Sequence, residues 1–430
     1  MKRSWESAFL WAHLAATLFL ILINLTFPVY VPFVDDWLLI NWATGEAPLN
    51  ASGSFELVNG HQIFIPKLIL ALISANLSLS LPVLSIIFIL IGSLAFYLIS
   101  LPLIDSVQKK DKYFLLIPFL FLNLRQLQNY SMLICFQWMV SILAIAVFYY
   151  SYLQIGKKKL ARYFLGLSLV AAPFTSGFGL VVSVCLFLYI VFDAITGNRR
   201  LNDFEVFIFT TLNVLSLYSA YIWPPNSGSE SSAGSSFYPS DLLKILGFVP
   251  ALTGQMFLPN VEVFQFRIFL LSASVLGIFL LLLAFKQIRE YFYHTDLTQN
   301  LQPVVYLSIL GLSAIALISV SRGLNTDISS SLEPRYSTGV ILFVVPAIIT
   351  LLNSKVRISL LRVPLHTILI LSLFTSSILV GTYDRHSRLE LQSKFSSCNG
   401  KEIYKLKEVL SAKEICKNLL AEPKLRHLAE

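Results

Sequence analysis

The sequence predicts an all-α integral membrane protein, and three observations carry that prediction. The chain of 430 residues is 56% hydrophobic and only 13% charged, whereas soluble domains carry about 25% charged residues. Apolar runs long enough to cross a ~30 Å hydrocarbon core, which takes ~20 residues, recur from one end to the other. These runs are continuous rather than alternating, which excludes a β-barrel.

About eleven membrane spans are predicted from the apolar runs. They are 8–31, 82–104, 113–128, 131–154, 160–174, 177–195, 204–223, 264–285, 302–320, 337–353 and 361–381. The third and fifth are short for the hydrocarbon core, so we expect them to be tilted, broken or longer than these bounds. The first follows Lys2 and Arg3 as in a signal peptide, but it is long and lacks a small-residue cleavage site, which predicts an uncleaved span.

Basic clusters predict the orientation of the spans. The net charge is +8, and Lys and Arg concentrate at 109–112, 157–162, 199–200, 286–289 and 355–362. These clusters occupy every second connection, and cytoplasmic loops carry such an excess. The N-terminus is therefore predicted in the cytoplasm and, because the number of spans is odd, the C-terminus outside it. We interpret the clusters as topology signals and predict no nucleic-acid partner.

The predicted domain organisation has two parts. A transmembrane domain covers 1–381, with external loops at 32–81 and 224–263, and an external helical tail covers 382–430. The Ser/Gly-rich start of the second loop predicts a mobile segment. Its apolar part, 239–258, predicts a helix that either lies on the membrane or re-enters it.

Cysteine positions fit this topology. Cys135 and Cys185 lie in apolar spans, which is typical of unreactive core residues. Cys398 and Cys416 lie in the polar tail, and an oxidising compartment would permit a disulfide between them. The alternative is two unrelated thiols.

The first external loop holds the candidate catalytic residues. Asp35 and Asp36 follow the first span directly, in VPFVDDWLLINW. A carboxylate pair beside aromatic rings at a membrane surface can deprotonate a hydroxyl or hold a divalent cation, although no metal or other cofactor is predicted. Adjacent residues of a helix point about 100° apart, so one Asp would act while the other orients or caps. The alternative is that Asp35 only caps an interfacial helix beginning at Asp36.

Further polar residues on the same predicted side are candidate substrate ligands. Arginines bind phosphate through paired hydrogen bonds, and a polar group deep in a span must find a partner. The alternatives are a hydrogen-bonded surface histidine, contacts between helices and interfacial anchoring. The candidates are His61, Lys67, Arg125, Gln137, Arg322, Arg335 and Tyr336.

Five motifs, in this order, resemble the GT-C superfamily of membrane glycosyltransferases. They are the Asp pair, the His61 and Pro66 element, Phe136-Gln137, the turn at Ser176-Gly177, and Arg335-Tyr336. More narrowly, they resemble bacterial serotype-converting O-antigen glycosyltransferases. The chain departs from related sequences at Asn59-Gly60-His61-Gln62, where those often have Asn-Glu-His-Arg.

The resemblance implies a GT-C-like helix bundle and a sugar transfer that inverts the configuration of the anomeric centre. The donor would be a polyprenyl-phosphate sugar and the acceptor a lipid-linked or polymeric glycan, such as the O-antigen of lipopolysaccharide, on the periplasmic face of the inner membrane. Asp35 or Asp36 would be the general base and Arg335 a phosphate contact. From the residues alone we favour Asp36 as the base, because Asp35 is better placed as the cap.

A transporter or flippase for a lipid-linked saccharide is the main alternative, and a non-catalytic scaffold subunit is a third. A transporter would carry polar residues near the middle of several spans, and we expect only His13, Gln137 and His366 there. No nucleotide-binding glycine pattern is present. The polar residues concentrate in the predicted external loops instead, which favours an enzyme.

Overall fold

The computed structural model describes most of the apolar part of the chain. It covers residues 2–30, 36, 38–47, 54–55, 57–58, 61–74, 80–104, 112–221, 239–258, 266–293, 298–323, 331, 334–354 and 365–399. Within these ranges the structure is helical and contains no strand, and an isolated antiparallel bridge joins Val58 to His61.

Fifteen α-helices are labelled in chain order within the described ranges. They are α1 Lys2–Thr26, α2 Ile40–Thr44, α3 Phe64–Ser74, α4 Leu81–Ile104, α5 Ile117–Phe121, α6 Leu127–Ser131, α7 Phe136–Gln154, α8 Leu160–Ala171, α9 Leu180–Thr196, α10 Asp203–Tyr221, α11 Pro239–Gly254, α12 Phe266–Tyr293, α13 Thr298–Gly323, α14 Ser337–Ser354 and α15 Leu365–Asn399. Short 3-10 turns join several of them, among them Leu124–Gln126, Gly177–Gly179 and Pro334–Tyr336.

Eight helical segments of the described chain are long and apolar enough to cross a membrane. They are Trp5–Thr26, Leu81–Ile104, Phe136–Gln154, Gly177–Thr196, Asp203–Tyr221, Ile268–Phe292, Leu301–Arg322 and Thr367–Cys398. Three apolar helices are shorter: Phe64–Ser74, Leu160–Phe174 and Ser337–Leu351. The chain is therefore a multi-pass α-helical membrane protein, as predicted, but the count of eleven spans is not confirmed.

The predicted span 113–128 is broken, which is one of the alternatives that its short length predicts. The segment contains α5, which ends at Phe121, and the start of the separate helix α6. Asn123 explains the break, since its side chain accepts a hydrogen bond from the Arg125 N–H at 3.0 Å and donates one to the Leu120 carbonyl at 2.6 Å. A side chain that satisfies backbone groups on both sides of a break stabilises the interruption. The next helix accordingly begins at Phe136 rather than at 131.

The last helix continues past the predicted end of the last span at 381. Ion pairs one turn apart support its polar part, with Arg388 Nε 3.0 Å from Asp384 and Lys394 Nζ 2.7 Å from Glu390. Arg385 is buried and donates to the Asn24 carbonyl of α1 at 3.2 Å. The predicted boundary at 382 thus lies inside α15, and residues 400–430 of the predicted external tail lie outside the described residues.

Helix α11 packs along α12. A Cβ on Gly254 would lie 1.9 Å from the Ala273 carbonyl oxygen, and one on Gly277 would lie 1.9 Å from that of Pro250. Pro250 contacts Gly277, whereas Gly254, later in α11, contacts Ala273, earlier in α12. The two helices are therefore antiparallel, and the glycines allow their backbones to touch. Of the two predicted alternatives for 239–258, this packing favours re-entry over a helix lying on the membrane.

Candidate functional site

A cavity of about 130 Å³ lies at the end of the bundle where α7, α9 and α14 begin and α13 ends, which we name the cavity end. Its lining includes residues from five separate parts of the chain: His61, Trp138, Gly177, Phe178, Leu180, Leu317, Ile318, Ser321, Arg322 and Tyr336. Three predicted substrate ligands, His61, Arg322 and Tyr336, therefore share one cavity, although they lie far apart in the sequence.

Gly177 makes room for the imidazole of His61. A Cβ at position 177 would lie only 2.6 Å from Nδ1 of that ring. Burial, reinforced by the positive charge of Arg322, lowers the pKa of His61 below its usual 6.5. The imidazole is consequently neutral near pH 7 and can either accept or donate a hydrogen bond.

Two arginines flank Tyr336: Arg322, which lines the cavity, and Arg335, which is not among the described lining residues. The guanidinium carbons of Arg322 and Arg335 lie 5.8 Å and 5.5 Å from the centroid of its ring, within range of cation–π attraction. Tyr336 itself is only 1% exposed. Arg322 contributes its guanidinium to the cavity lining, and guanidinium groups are suited to bind anions.

Hydrogen bonds to hydroxyl side chains hold the cavity walls in place. The Thr338 hydroxyl donates to Gln126 Oε1 at 2.8 Å and accepts from Asn129 Nδ2 at 2.7 Å, which ties the start of α14 to the segment before α7. Ser141 of α7 bonds to the hydroxyls of Thr175 and Ser176 at 2.8 Å and 2.7 Å. Sequence reasoning missed Thr338 and Ser141, because a single hydroxyl in an apolar helix gives no signal of its own.

Asp36 is buried, with 1% of its surface exposed. Its Oδ1 accepts a hydrogen bond from the Ile134 N–H at 2.8 Å. That amide belongs to the turn leading into α7, four residues before Trp138 of the cavity wall. The carboxylate is thus attached to an element of the site, although Asp36 is not among the described lining residues. Asp35, Trp37 and Glu56 lie outside the described residues.

The other predicted ligands are not brought into the cavity lining. Lys67 is buried on α3, with its ammonium 5.3 Å from the centroid of the Trp42 ring. Arg125 is buried and donates to the Leu258 carbonyl at 2.9 Å and to Gln255 at 3.3 Å. Gln137, the second residue of α7, has an Oε1 atom that is buried without a hydrogen-bond partner. Such an acceptor is costly unless something binds to it.

Sequence reasoning missed a polar cluster at the opposite end of α9. Asp193 is 3% exposed and accepts hydrogen bonds from the hydroxyls of Tyr152, at 2.8 Å, and Tyr306. The guanidinium of Arg200 lies 5.4 Å from the centroid of the Tyr306 ring. We name Asp193, Tyr152, Tyr306 and Arg200 the Asp193 cluster. The sequence feature that could have revealed this cluster is Asp193 itself, an acidic residue late in an apolar run that is followed by the basic pair Arg199 and Arg200.

Cys398 lies near the end of α15 and is disulfide-bonded. Cys135 and Cys185 are buried free thiols. Cys416 lies outside the described residues, so its pairing with Cys398 stays a prediction.

No group of three or more His, Cys, Asp or Glu among the described residues could hold a metal ion.

The fold defines the class of this chain, a multi-pass α-helical membrane protein. No family model matches the chain, and no curated protein or solved structure is detectably similar to it. The resemblance to the GT-C superfamily therefore rests on the motifs themselves.

Proposed function

We propose that the protein is a membrane glycosyltransferase. It would move a sugar from a polyprenyl-phosphate donor to a cell-surface glycan, such as O-antigen, at the periplasmic face of the bacterial inner membrane. The main support is the cavity in which His61, Arg322 and Tyr336 meet. Three of the five resembling motifs contribute residues to this lining, through His61, Gly177 and Tyr336.

The cavity suits the phosphate of such a donor. The leaving group of the transfer is a phosphate, and the guanidiniums of Arg322 and Arg335 lie close to the Tyr336 ring. Arginines placed in advance stabilise negative charge as it develops in the transition state. Arg322 also ends the apolar segment Leu301–Arg322, so a phosphate there would lie where the hydrocarbon core ends.

The general base of the proposed transfer is Asp36 or Asp35. The acceptor hydroxyl must lose a proton as it attacks the sugar, and a positioned carboxylate can take it. The hydrogen bond from the Ile134 N–H fixes the orientation of the Asp36 carboxylate relative to the start of α7. Asp36 therefore remains our first choice.

The proposal is tested by sugar transfer with purified protein and a panel of polyprenyl-phosphate sugars. Arg335→Ala should raise the donor KM, and Arg335→Lys should restore little, because lysine cannot form the paired contact with phosphate. Lys244→Ala, which removes an exposed cation from a different helix, is the control and should leave KM unchanged. Absence of transfer from every donor would count against the enzyme.

A flippase for a lipid-linked saccharide is the second candidate, and the Asp193 cluster is the observation that favours it. Buried ionisable residues inside membrane helices are typical of transport pathways. Translocation of a fluorescent lipid-linked sugar in proteoliposomes, lost in Asp193→Asn, would support this function. Sugar transfer that survives Asp193→Asn would favour the enzyme.

A further inference from the structure

An apolar groove of about 550 Å³ opens on the side of the bundle between α9, α12 and α13. It follows α9 from Val184 to Ile195 and α13 from Ile309 to Val320, and Ile288 of α12 completes it. Ser313 is the one polar side chain among its described lining residues. The groove therefore offers a ligand almost nothing except hydrocarbon contact.

The groove adjoins the polar cavity, because Leu317 lines both. Val320, at the same end of the groove, directly precedes Ser321 and Arg322 of the cavity wall. A ligand that occupied both spaces would be anionic beside the arginine and apolar along the rest of its length. A lipid with a phosphate head group has this chemistry.

Aromatic residues pack together at the opposite end of the groove. Phe192 lines the groove, and its ring centroid lies 5.3 Å from that of Tyr291 and 5.5 Å from that of Tyr306. Tyr306 is in turn bonded to Asp193. From Val184 to Ile195 a helix rises ~16 Å, about half of a ~30 Å hydrocarbon core. The groove can thus hold only part of a long lipid tail.

We propose that this groove binds the tail segment nearest the phosphate of a polyprenyl-phosphate lipid, with the rest of the tail in the bilayer. The identity of this lipid rests on the proposed function. Burial of the first isoprene units adds affinity that does not depend on the sugar. The Asp193 cluster then acts as the floor of the tail site, since it holds the tyrosine against which Phe192 packs.

Binding of two phosphates that differ only in tail length tests the proposal. Calorimetry with the purified full-length protein should show farnesyl phosphate binding at least about tenfold more tightly than isopentenyl phosphate, because the longer tail buries more apolar surface. Ala316→Trp places an indole in the groove from an exposed position on α13. It should remove this tenfold gain and leave isopentenyl phosphate binding unchanged.

Neighbouring residues of α9 supply a second variant and its control. Leu188→Trp blocks the groove from the facing helix and should repeat the effect of Ala316→Trp. Phe187 is 67% exposed and is not among the groove-lining residues, so Phe187→Trp should bind both phosphates as the wild type does.

Three results would overturn the proposal. The wild type could bind the two phosphates with equal affinity, or both groove variants could bind farnesyl phosphate as tightly as the wild type does. Dioleoyl phosphatidic acid could also compete for the site as strongly as farnesyl phosphate itself. Groove-dependent binding without any sugar transfer would support the groove and count against the proposed enzyme. Sugar transfer that is unaffected when the groove is blocked would count against the groove alone.

Discussion

The two ends of the α9 and α13 helices both place an arginine beside a tyrosine ring, yet they differ in charge balance. Arg200 lies 5.4 Å from the Tyr306 ring at one end, and Arg322 lies 5.8 Å from the Tyr336 ring at the other. The Tyr306 end contains Asp193, which two tyrosine hydroxyls satisfy. The cavity end has open volume and no described carboxylate in its lining.

This difference separates a closed polar cluster from a binding site. A buried carboxylate with hydrogen-bond donors and a nearby cation is internally satisfied, so its removal mainly costs stability. The cavity end instead has the guanidinium of Arg322 beside open volume, and a guanidinium can bind an anionic ligand through charge-assisted hydrogen bonds. We therefore expect chemistry at the cavity end and structural support at the opposite end.

The largest expected effect concerns which end lies outside the cytoplasm. Alkaline phosphatase fused after Glu430 should be active, because α15 ends on the predicted external side, and the same enzyme fused after Lys159 should be inactive. Colony colour and enzyme activity measure the result. The reverse pattern would place the cavity end in the cytoplasm and remove the periplasmic transfer.

Two buried aspartates, one beside the cavity and one at the opposite end, give the next largest contrast. Asp36→Asn keeps an oxygen that can accept the Ile134 N–H but cannot take a proton, so kcat should fall by about 10²–10⁴-fold with normal expression. Asp193→Asn should lower the unfolding temperature while kcat stays near that of the wild type.

The neighbouring carboxylate is the matched control for this contrast. Asp35→Asn should be tolerated if Asp35 caps a helix, because asparagine caps about as well as aspartate. Near-normal kcat in both single Asn variants would remove both as the base. That role would then move to His61 or to Glu56, an acidic residue of the same predicted external loop 32–81.

A glycine pair tests how tightly the cavity is built. Gly177→Ala would place a methyl group against His61, and a displacement of about 1 Å in a site can cost up to about 10²-fold in rate. Gly156→Ala meets no atom within 4 Å and should leave the rate unchanged. Equal rates in the two variants, measured in the same transfer assay, would show that the position of His61 does not matter.

The smallest expected effect is the pH dependence of stability. The pKa of His61 in the folded protein lies below its usual value of 6.5. Between these two pKa values the unfolded chain binds more protons than the folded protein, so the protein loses stability as the pH falls from 6.5 towards the folded pKa. His61→Gln should remove part of this loss. Unfolding midpoints of both proteins, measured above and below pH 6.5, provide the comparison. Parallel pH profiles would contradict the burial of a neutral imidazole.

Local sequence patterns identified candidate residues, but they did not predict which residues those side chains contact in the folded protein. The sequence places Arg125 among the substrate ligands because arginines bind phosphate through paired hydrogen bonds, but it donates to the Leu258 carbonyl and to Gln255, which belong to a segment far along the chain. The break near Asn123 depends on one side chain bonding to its own backbone. Hydropathy averages over many residues and does not detect such a contact.

The sequence by itself determined the class of this protein and most of its helices. Hydrophobic runs and basic clusters are local properties, because each segment enters the membrane according to its own composition. It also supplied the residue types suited to phosphate and proton transfer.

Only the tertiary structure decided which of these residues meet. His61, Gly177 and Arg322 come together because hydroxyl contacts such as Thr338 to Gln126 and Ser141 to Ser176 lock separate helices at one end. The Asp193 cluster and the apolar groove likewise arise from contacts between distant segments. Such contacts are set by packing across the bundle, which composition and spacing along one chain do not contain.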